Sequence, residues 1–229
     1  MLLPLESCRM LPQQIPLALY LHMPWCVKKC PYCDFNSHAV PQGGLTVEIE
    51  QQYLSALVAD VAAQVNSAQG RSISSVFVGG GTPSLISAQG YQHLFAQLRS
   101  LMTFSPDCEI TLEANSGTLE HEPFEGYLAA GINRLSLGVQ TFDDERLKLL
   151  GRVHSAADAM RSIRQAKRAG FTRVNVDLMH GLPEQTVAQA VYDLQTAIDC
   201  GATHISWYQL TIEPNTVFFR TQPTLPDED

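Results

Sequence analysis

The sequence predicts an α/β fold, a partial (β/α)6 TIM-like barrel, and three observations carry that expectation. Short β-branched runs alternate with longer amphipathic stretches along the chain. Several amphipathic stretches stop at a glycine (Gly70, Gly131, Gly170, Gly201), the usual left-handed end of a helix. The unit helix, glycine, strand recurs as AAGINRLSL, RAGFTRVNVDL and DCGATHISWYQL, as parallel strands joined by crossovers require. Right-handed crossovers leave a doubly wound sheet or a barrel. Chemistry-bearing residues cluster where the strands end, which favours a barrel whose functional groups collect at its C-terminal rim.

Taken in order, the predicted strands are Leu17–His22, Ile73–Val78, Glu109–Ala114, Arg134–Gly138, Arg173–Leu178 and His204–Leu210. Helical patterns fall on Glu48–Ser67, Ala88–Met102, Leu119–Ala130, Asp143–Leu150, Ala156–Ala169 and Gln185–Asp199. No linker interrupts them, so residues 1–229 read as one domain, with the barrel at about 17–214. The chain stops at TLPDED before any helix that would cover the sixth strand, and so reads as the front part of a longer protein. Truncation there leaves VFF and WYQL as exposed apolar surface.

Composition narrows the classes of function. Of 229 residues, 45% are hydrophobic and 17% charged, enough apolar content for a substantial core. The net charge of −8 argues against wrapping a phosphate backbone, and the one basic run, Arg164 to Arg168, reads as the solvated side of a helix. Pro4, Glu6, Arg9 and Pro12 break the apolar N-terminus, so it lacks the continuous core of a signal peptide. No stretch is long and apolar enough to span a membrane, and a cytoplasmic location is expected.

Six cysteines stand at 8, 26, 30, 33, 108 and 200. Three of them form C-x3-C-x2-C in LYLHMPWCVKKCPYCDF, directly after the first strand. A structural zinc site prefers four ligands and usually draws a second pair from downstream; Cys108 and Cys200 are isolated, though His22 or His38 could complete such a site. Three thiolates on a cubane leave one iron without a protein ligand, open to a small molecule. The other three cysteines read as small core or surface residues.

The spacing, with Tyr32 before the last cysteine, resembles the radical S-adenosylmethionine superfamily. The resemblance implies a 4Fe–4S cluster on Cys26, Cys30 and Cys33, with S-adenosylmethionine chelated at the open iron. It also implies one-electron cleavage of the sulfonium to methionine and a 5′-deoxyadenosyl radical. The segments YLHMPWC, GGGTPS, LEANS, NRLSLGVQTF, LLGRVHS and VNVDLMHGLP, in this order, resemble the oxygen-independent coproporphyrinogen III oxidases and their sister branch, the HemW haem chaperones. By that resemblance Tyr20, Gly80 and Glu113 contact the cluster-bound S-adenosylmethionine, with Tyr32 also among the cofactor-binding residues. Gly81, Thr82, Gln140, Arg152 and Asp177 match the second S-adenosylmethionine site of the oxidases.

The oxidases carry a fourth cysteine two residues beyond the third, where this chain has Phe35. That departure matches the HemW branch and implies haem binding, transfer to an acceptor protein, a separate electron donor and no decarboxylase activity. Two alternatives stay open: a true oxidase that decarboxylates coproporphyrinogen III to protoporphyrinogen IX, and a zinc-stabilised barrel without redox chemistry. By the same resemblance the family's porphyrin determinants lie largely in a C-terminal domain, which this chain is expected to lack. His22, His38, His93, His121, His154, His180 and His204 are haem-ligand candidates by residue type alone, and ordinary packing or surface roles compete at each.

Overall fold

The computed structural model describes residues 15–117 and 123–226. Six parallel strands form one sheet in sequence order: β1 (Leu17–Met23), β2 (Ile73–Gly80), β3 (Phe104–Asn115), β4 (Arg134–Gln140), β5 (Arg173–His180) and β6 (His204–Gln209). Each pairs only with its chain neighbours, and β1 and β6 are the two ends of the sheet, so this is the predicted partial barrel.

Alternation along the strands sorts two faces. On the outer face Leu21, Val78, Leu112, Leu137, Val176 and Leu178 are almost wholly buried. The covering helices are α1 (Val47–Gln64), α2 (Ala88–Leu101), α3 (Phe124–Ala129), α4 (Asp144–Leu149), α5 (Ala156–Arg168) and α6 (Val187–Asp199). Helix α5 packs on β4 and β5, and α6 on β5. The concave face carries Thr111, Glu113, Ser136, Asn175, Asp177 and Tyr208. A closed TIM barrel fills its interior with layers of branched apolar side chains; this one lines it with polar ones.

Helix starts follow their caps. Thr46 Oγ1 accepts from Ile49 N, and Asp143 accepts from two amides of α4. Ser155 with Asp158 and Thr186 with Gln189 form reciprocal capping boxes. The Thr186 box moves the start of α6 two residues beyond the expected Gln185, whose side chain instead accepts from Leu182 N. The described third helix opens at Phe124, behind Pro123, and residues 119–122 of the predicted element lie outside the described residues. Gly70, Gly131, Gly170 and Gly201 all have positive φ, as expected of helix stops.

The segment after β6 departs from expectation. It folds back as a short helix, α7 (Val217–Thr221), and Phe218 is buried in a second small core with Leu150, Met179, Leu182 and Leu210. Of the VFF run only Val217 and Phe219 are exposed; in WYQL Trp207 and Tyr208 are exposed, as expected, and Leu210 is buried.

Candidate functional site

The cysteine loop is a closed structure. A two-residue parallel ladder pairs Trp25 with His38 and Cys26 with Ala39, cinching the base of the loop. Within it Cys33 N donates to Cys30 O at 3.2 Å, and Lys29 Nζ donates to Phe35 O at 2.8 Å and Ser37 O at 3.3 Å. Lys29 is therefore engaged with backbone and not merely solvated. His22 Nε2 faces Asn36 O at 2.8 Å, so that nitrogen carries the proton and Nδ1 accepts from Tyr20 OH at 3.0 Å. This chain of bonds ties β1 to the loop.

The three thiols sit together at its inner side, Cys26 buried and Cys30 and Cys33 half-buried. Burial pushes the Cys33 thiol up, and its neighbours Cys30 and Cys26 push the same way. Among the described residues no three His, Cys, Asp or Glu side chains converge as ligands of one ion. A tetrahedral zinc needs that convergence, with sulfur ligands about 2.3 Å from the metal. A cubane does not, because each thiolate binds a different iron. The donor set thus fits a cluster better than a single ion.

The glycines after β2 are dictated by the chain itself. Gly80 has φ +113°, and a Cβ there would lie 2.6 Å from His22 Cε1. A Cβ on Gly81 would lie 2.5 Å from Trp25 O, because Gly81 N donates to Met23 O and Thr82 N to Trp25 O, each at 2.6 Å. These glycines permit a close approach between β2 and the root of the cysteine loop.

Below the loop lies a cavity of about 430 Å³. Its wall includes Cys26, Cys30, Cys33, Tyr32, Gly80, Gly81, Thr82, Glu113, Gln140, Arg152 and Asp177. Tyr20 is not part of that wall; it lies on the concave face of β1, stacked on Phe77 at 6.4 Å between centroids. The site sits at the carboxyl ends of the strands, as expected of a parallel barrel.

Two acids share the cavity. Glu113 accepts from Gly80 N at 3.2 Å, yet burial, reinforced by Asp177, pushes its carboxyl up to about 7. Asp177 is not at a strand end, because β5 continues to His180; it accepts from Ser136 Oγ at 3.0 Å and Asn175 Nδ2 at 2.8 Å. Burial raises its carboxyl, and these donors oppose the rise.

Arg152 is held on the protein through both terminal guanidinium nitrogens. Its guanidinium donates to Asn115 Oδ1 at 2.6 Å and Gly138 O at 2.7 Å, and approaches Cys30 Sγ at 3.5 Å. A cation is thereby fixed beside one of the three thiols. His154, two residues on, is buried; its Nε2 donates to Val139 O at 3.2 Å, and burial, then Arg152, lower its ring to about 4. That makes it a neutral packing histidine.

Gln140 ends β4 with φ +72°, a left-handed conformation uncommon outside glycine. A register shift between Gly138 and Gln140 marks a bulge there, and Tyr208 OH donates to Gln140 Oε1 at 2.7 Å. Asp193 on α6 holds the next two residues, accepting from Thr141 Oγ1 at 2.8 Å and Phe142 N at 2.7 Å. Bulges of this kind re-aim side chains beside functional sites.

Sequence reasoning missed Asn115, Ser136 and Tyr208, which all line the cavity. Asn115 and Ser136 stand beside buried apolar residues on their strands, whereas Tyr208 lies between the exposed Trp207 and Gln209, so no shared sequence pattern marks the three. Of the histidine candidates, His22 and His154 have the structural partners given above, and His121 lies outside the described residues, as does Cys8. Cys108 and Cys200 are buried singly, as expected.

An open parallel barrel with three cysteines over its carboxyl rim defines a class, and residues 20–196 match the radical SAM superfamily. The chain belongs to that superfamily. Within it, the chain is similar to the protein named heme chaperone HemW of Haemophilus influenzae, 49% identical over 96% of this chain and 57% of that one. HemW of Escherichia coli is also 49% identical, over 93% of this chain and 56% of its own length. Among solved structures, coproporphyrinogen III oxidase (HemN) from Escherichia coli, titled a radical SAM enzyme, superposes with TM-score 0.80 at 30% identity, over 93% of this chain and 49% of that one. The chain thus spans little more than half the length of the curated relatives it matches. Among the described residues no helix is long and apolar enough to cross a membrane.

Proposed function

We propose that this chain is the S-adenosylmethionine-binding core of a cytoplasmic haem chaperone that passes haem to an acceptor protein. In this proposal Cys26, Cys30 and Cys33 hold a 4Fe–4S cluster, and residues 17–214 form the core. The observation that carries it is the meeting of the three thiols and eight of the nine cofactor candidates around one cavity, in a chain about half identical to proteins named as haem chaperones.

When bound and reduced by an electron donor, the cluster supplies a single electron to its ligand. The chain's own residues bind and orient that ligand. The Glu113 carboxyl and the backbone around Gly80 offer acceptors to an ammonium group, and Gly81 and Thr82 lie beside them on the cavity wall. Arg152 sets a positive charge against Cys30, which lessens repulsion among thiolates. Tyr32 closes one side of the wall and is packed beneath by Phe218, centroids 6.3 Å apart.

A second reading, an oxygen-independent coproporphyrinogen III oxidase, is favoured by the likeness to the oxidase structure. Phe35, at the fourth-cysteine position, weighs against it. Phe35 is exposed and lines the cavity mouth, an apolar ring where the oxidases carry a thiol.

One experiment separates the two. The full-length protein, reconstituted with iron and sulfide, is titrated with haem and, in parallel, incubated anaerobically with coproporphyrinogen III, S-adenosylmethionine and a reductant. The proposal expects saturable haem uptake, seen as a shifted Soret band, and no protoporphyrinogen. Vinyl-bearing product without stable haem uptake would replace it by the oxidase reading.

A further inference from the structure

The loop that carries the cysteines is gripped from below by two segments remote in sequence. Phe218 N, at the start of α7, donates to Pro31 O at 2.9 Å. The Phe218 ring is 7% exposed and faces Tyr32, the residue between Pro31 and Cys33. Its other neighbours, Leu150, Met179, Leu182 and Leu210, come from three separate segments at the carboxyl rim of the sheet. From the other side comes Gly151, with φ +68°; a Cβ built there would stand 2.7 Å from Pro31 Cδ. Any side chain at 151 would therefore push Pro31 away, besides straining its own backbone. Pro31 has no N–H, and its carbonyl is the group that α7 holds.

We propose that α7 is a clamp on the cysteine loop, with Phe218 and Gly151 as positioning residues that hold Pro31 and Tyr32 and thereby set the placement of Cys30 and Cys33. The inference builds on the cysteine loop as the metal-binding element of the proposed function, but the grip itself concerns this chain's own contacts. Phe219, the next residue on α7, is exposed and outside the small core, which makes it the natural control. The clamp also connects the stretch after the last strand to the thiols. Whatever displaces α7 then loosens Cys30 and Cys33 while leaving the sheet intact.

The test uses the chain in two states. In the metal-free chain, alkylation of each cysteine by iodoacetamide is followed by mass spectrometry. Phe218→Ala and Gly151→Ala should each speed modification of Cys30 and Cys33 by about tenfold through local opening, leaving buried Cys108 and Cys200 unchanged. Phe218→Leu, which refills most of the volume, should restore the slow rate, and Phe219→Ala should match the parent. In the reconstituted chain, Phe218→Ala should release iron to a ferrous chelator faster and change the electron paramagnetic resonance spectrum of the reduced cluster. Unchanged alkylation of Cys30 and Cys33 in both Phe218→Ala and Gly151→Ala would overturn the clamp. Equal acceleration at Cys108 and Cys200 would also overturn it, since that reports global unfolding. If the parent takes up no iron, the proposed function fails and the alkylation arm still decides the clamp.

Discussion

The two faces of the six-stranded sheet come from the same strands and follow opposite rules. On the outer face Val78, Leu112, Leu137, Val176 and Leu178 are sealed from solvent under helices and form one continuous apolar core. On the concave face the alternating positions hold Glu113, Ser136, Asn175, Asp177 and Tyr208; hydrogen bonds join Ser136, Asn175 and Asp177, and all but Asn175 line a cavity. The difference shows what each face does for the molecule. Apolar burial, non-directional and proportional to area, holds the sheet and its helices together. The polar face adds little to that and keeps charged and hydrogen-bonding groups at fixed positions in a partly dry space.

The contrast is broken most sharply by cutting into the outer face. Leu137→Ala should destabilise the fold by about 2–5 kcal/mol, because a large side chain at 0% exposure leaves a cavity. Urea denaturation followed by circular dichroism reads the loss. A cost below about 1 kcal/mol would mean that the outer face is not the core.

The next largest effect lies on the concave face and depends on pH. The folded chain raises the Glu113 carboxyl from an ordinary 4.5 to about 7, so it holds that proton more tightly than the unfolded chain does. The resulting stabilisation is full below pH 4.5 and is lost as pH rises through 7, amounting to about 3 kcal/mol at most. Glu113→Gln, which stays neutral, should flatten the fall in melting temperature between about pH 5 and 8. Parallel pH profiles for the two proteins would refute the assignment.

Smaller still is Tyr208→Phe, which removes the donor to Gln140 Oε1. A cost of about 1 kcal/mol is expected, since one hydrogen bond is lost and a buried acceptor is left unpaired. Smallest is Arg173→Ala, at the opposite, solvent-facing end of the concave face, where Arg173 meets Glu109 at 3.1 Å. An exposed pair of this kind should change stability by no more than about 0.5 kcal/mol. Double-mutant cycles on each pair rank the two effects.

Most of the fold was legible because its signals are local. Short β-branched runs marked the strands of the sheet, and Thr46, Ser155 and Thr186 cap helices at or near the starts their sequence patterns give. Where legibility failed, the cause was a contact distant in sequence. The run VFF read as uncovered surface, because nothing nearby reveals that Phe218 reaches Pro31 and Tyr32 nearly two hundred residues earlier. The extension of β5 to His180 was likewise unreadable, and it turned Asp177 from a strand-end residue into one inside the barrel.

The site divides in the same way. The cysteines, glycines and Glu113 announce themselves by spacing and by position after a strand. Asn115, Ser136 and Tyr208 do not, because a single polar residue on a strand looks the same whether it faces solvent or a cavity. Arg152 matches a second S-adenosylmethionine site by resemblance, and in the fold it also braces Asn115, Gly138 and Cys30. Only the register of neighbouring strands exposes that role.

The central claim is that the three thiols hold a cluster over the polar cavity. Anaerobic reconstitution with iron and sulfide, followed by iron analysis and visible absorption, tests it most directly. The account predicts about four irons per chain with sulfur-to-iron charge-transfer absorbance, a spectrum altered by S-adenosylmethionine, and loss of stable iron in Cys30→Ala. Tight binding of one zinc with no such absorbance, or full iron content in Cys30→Ala, would contradict it.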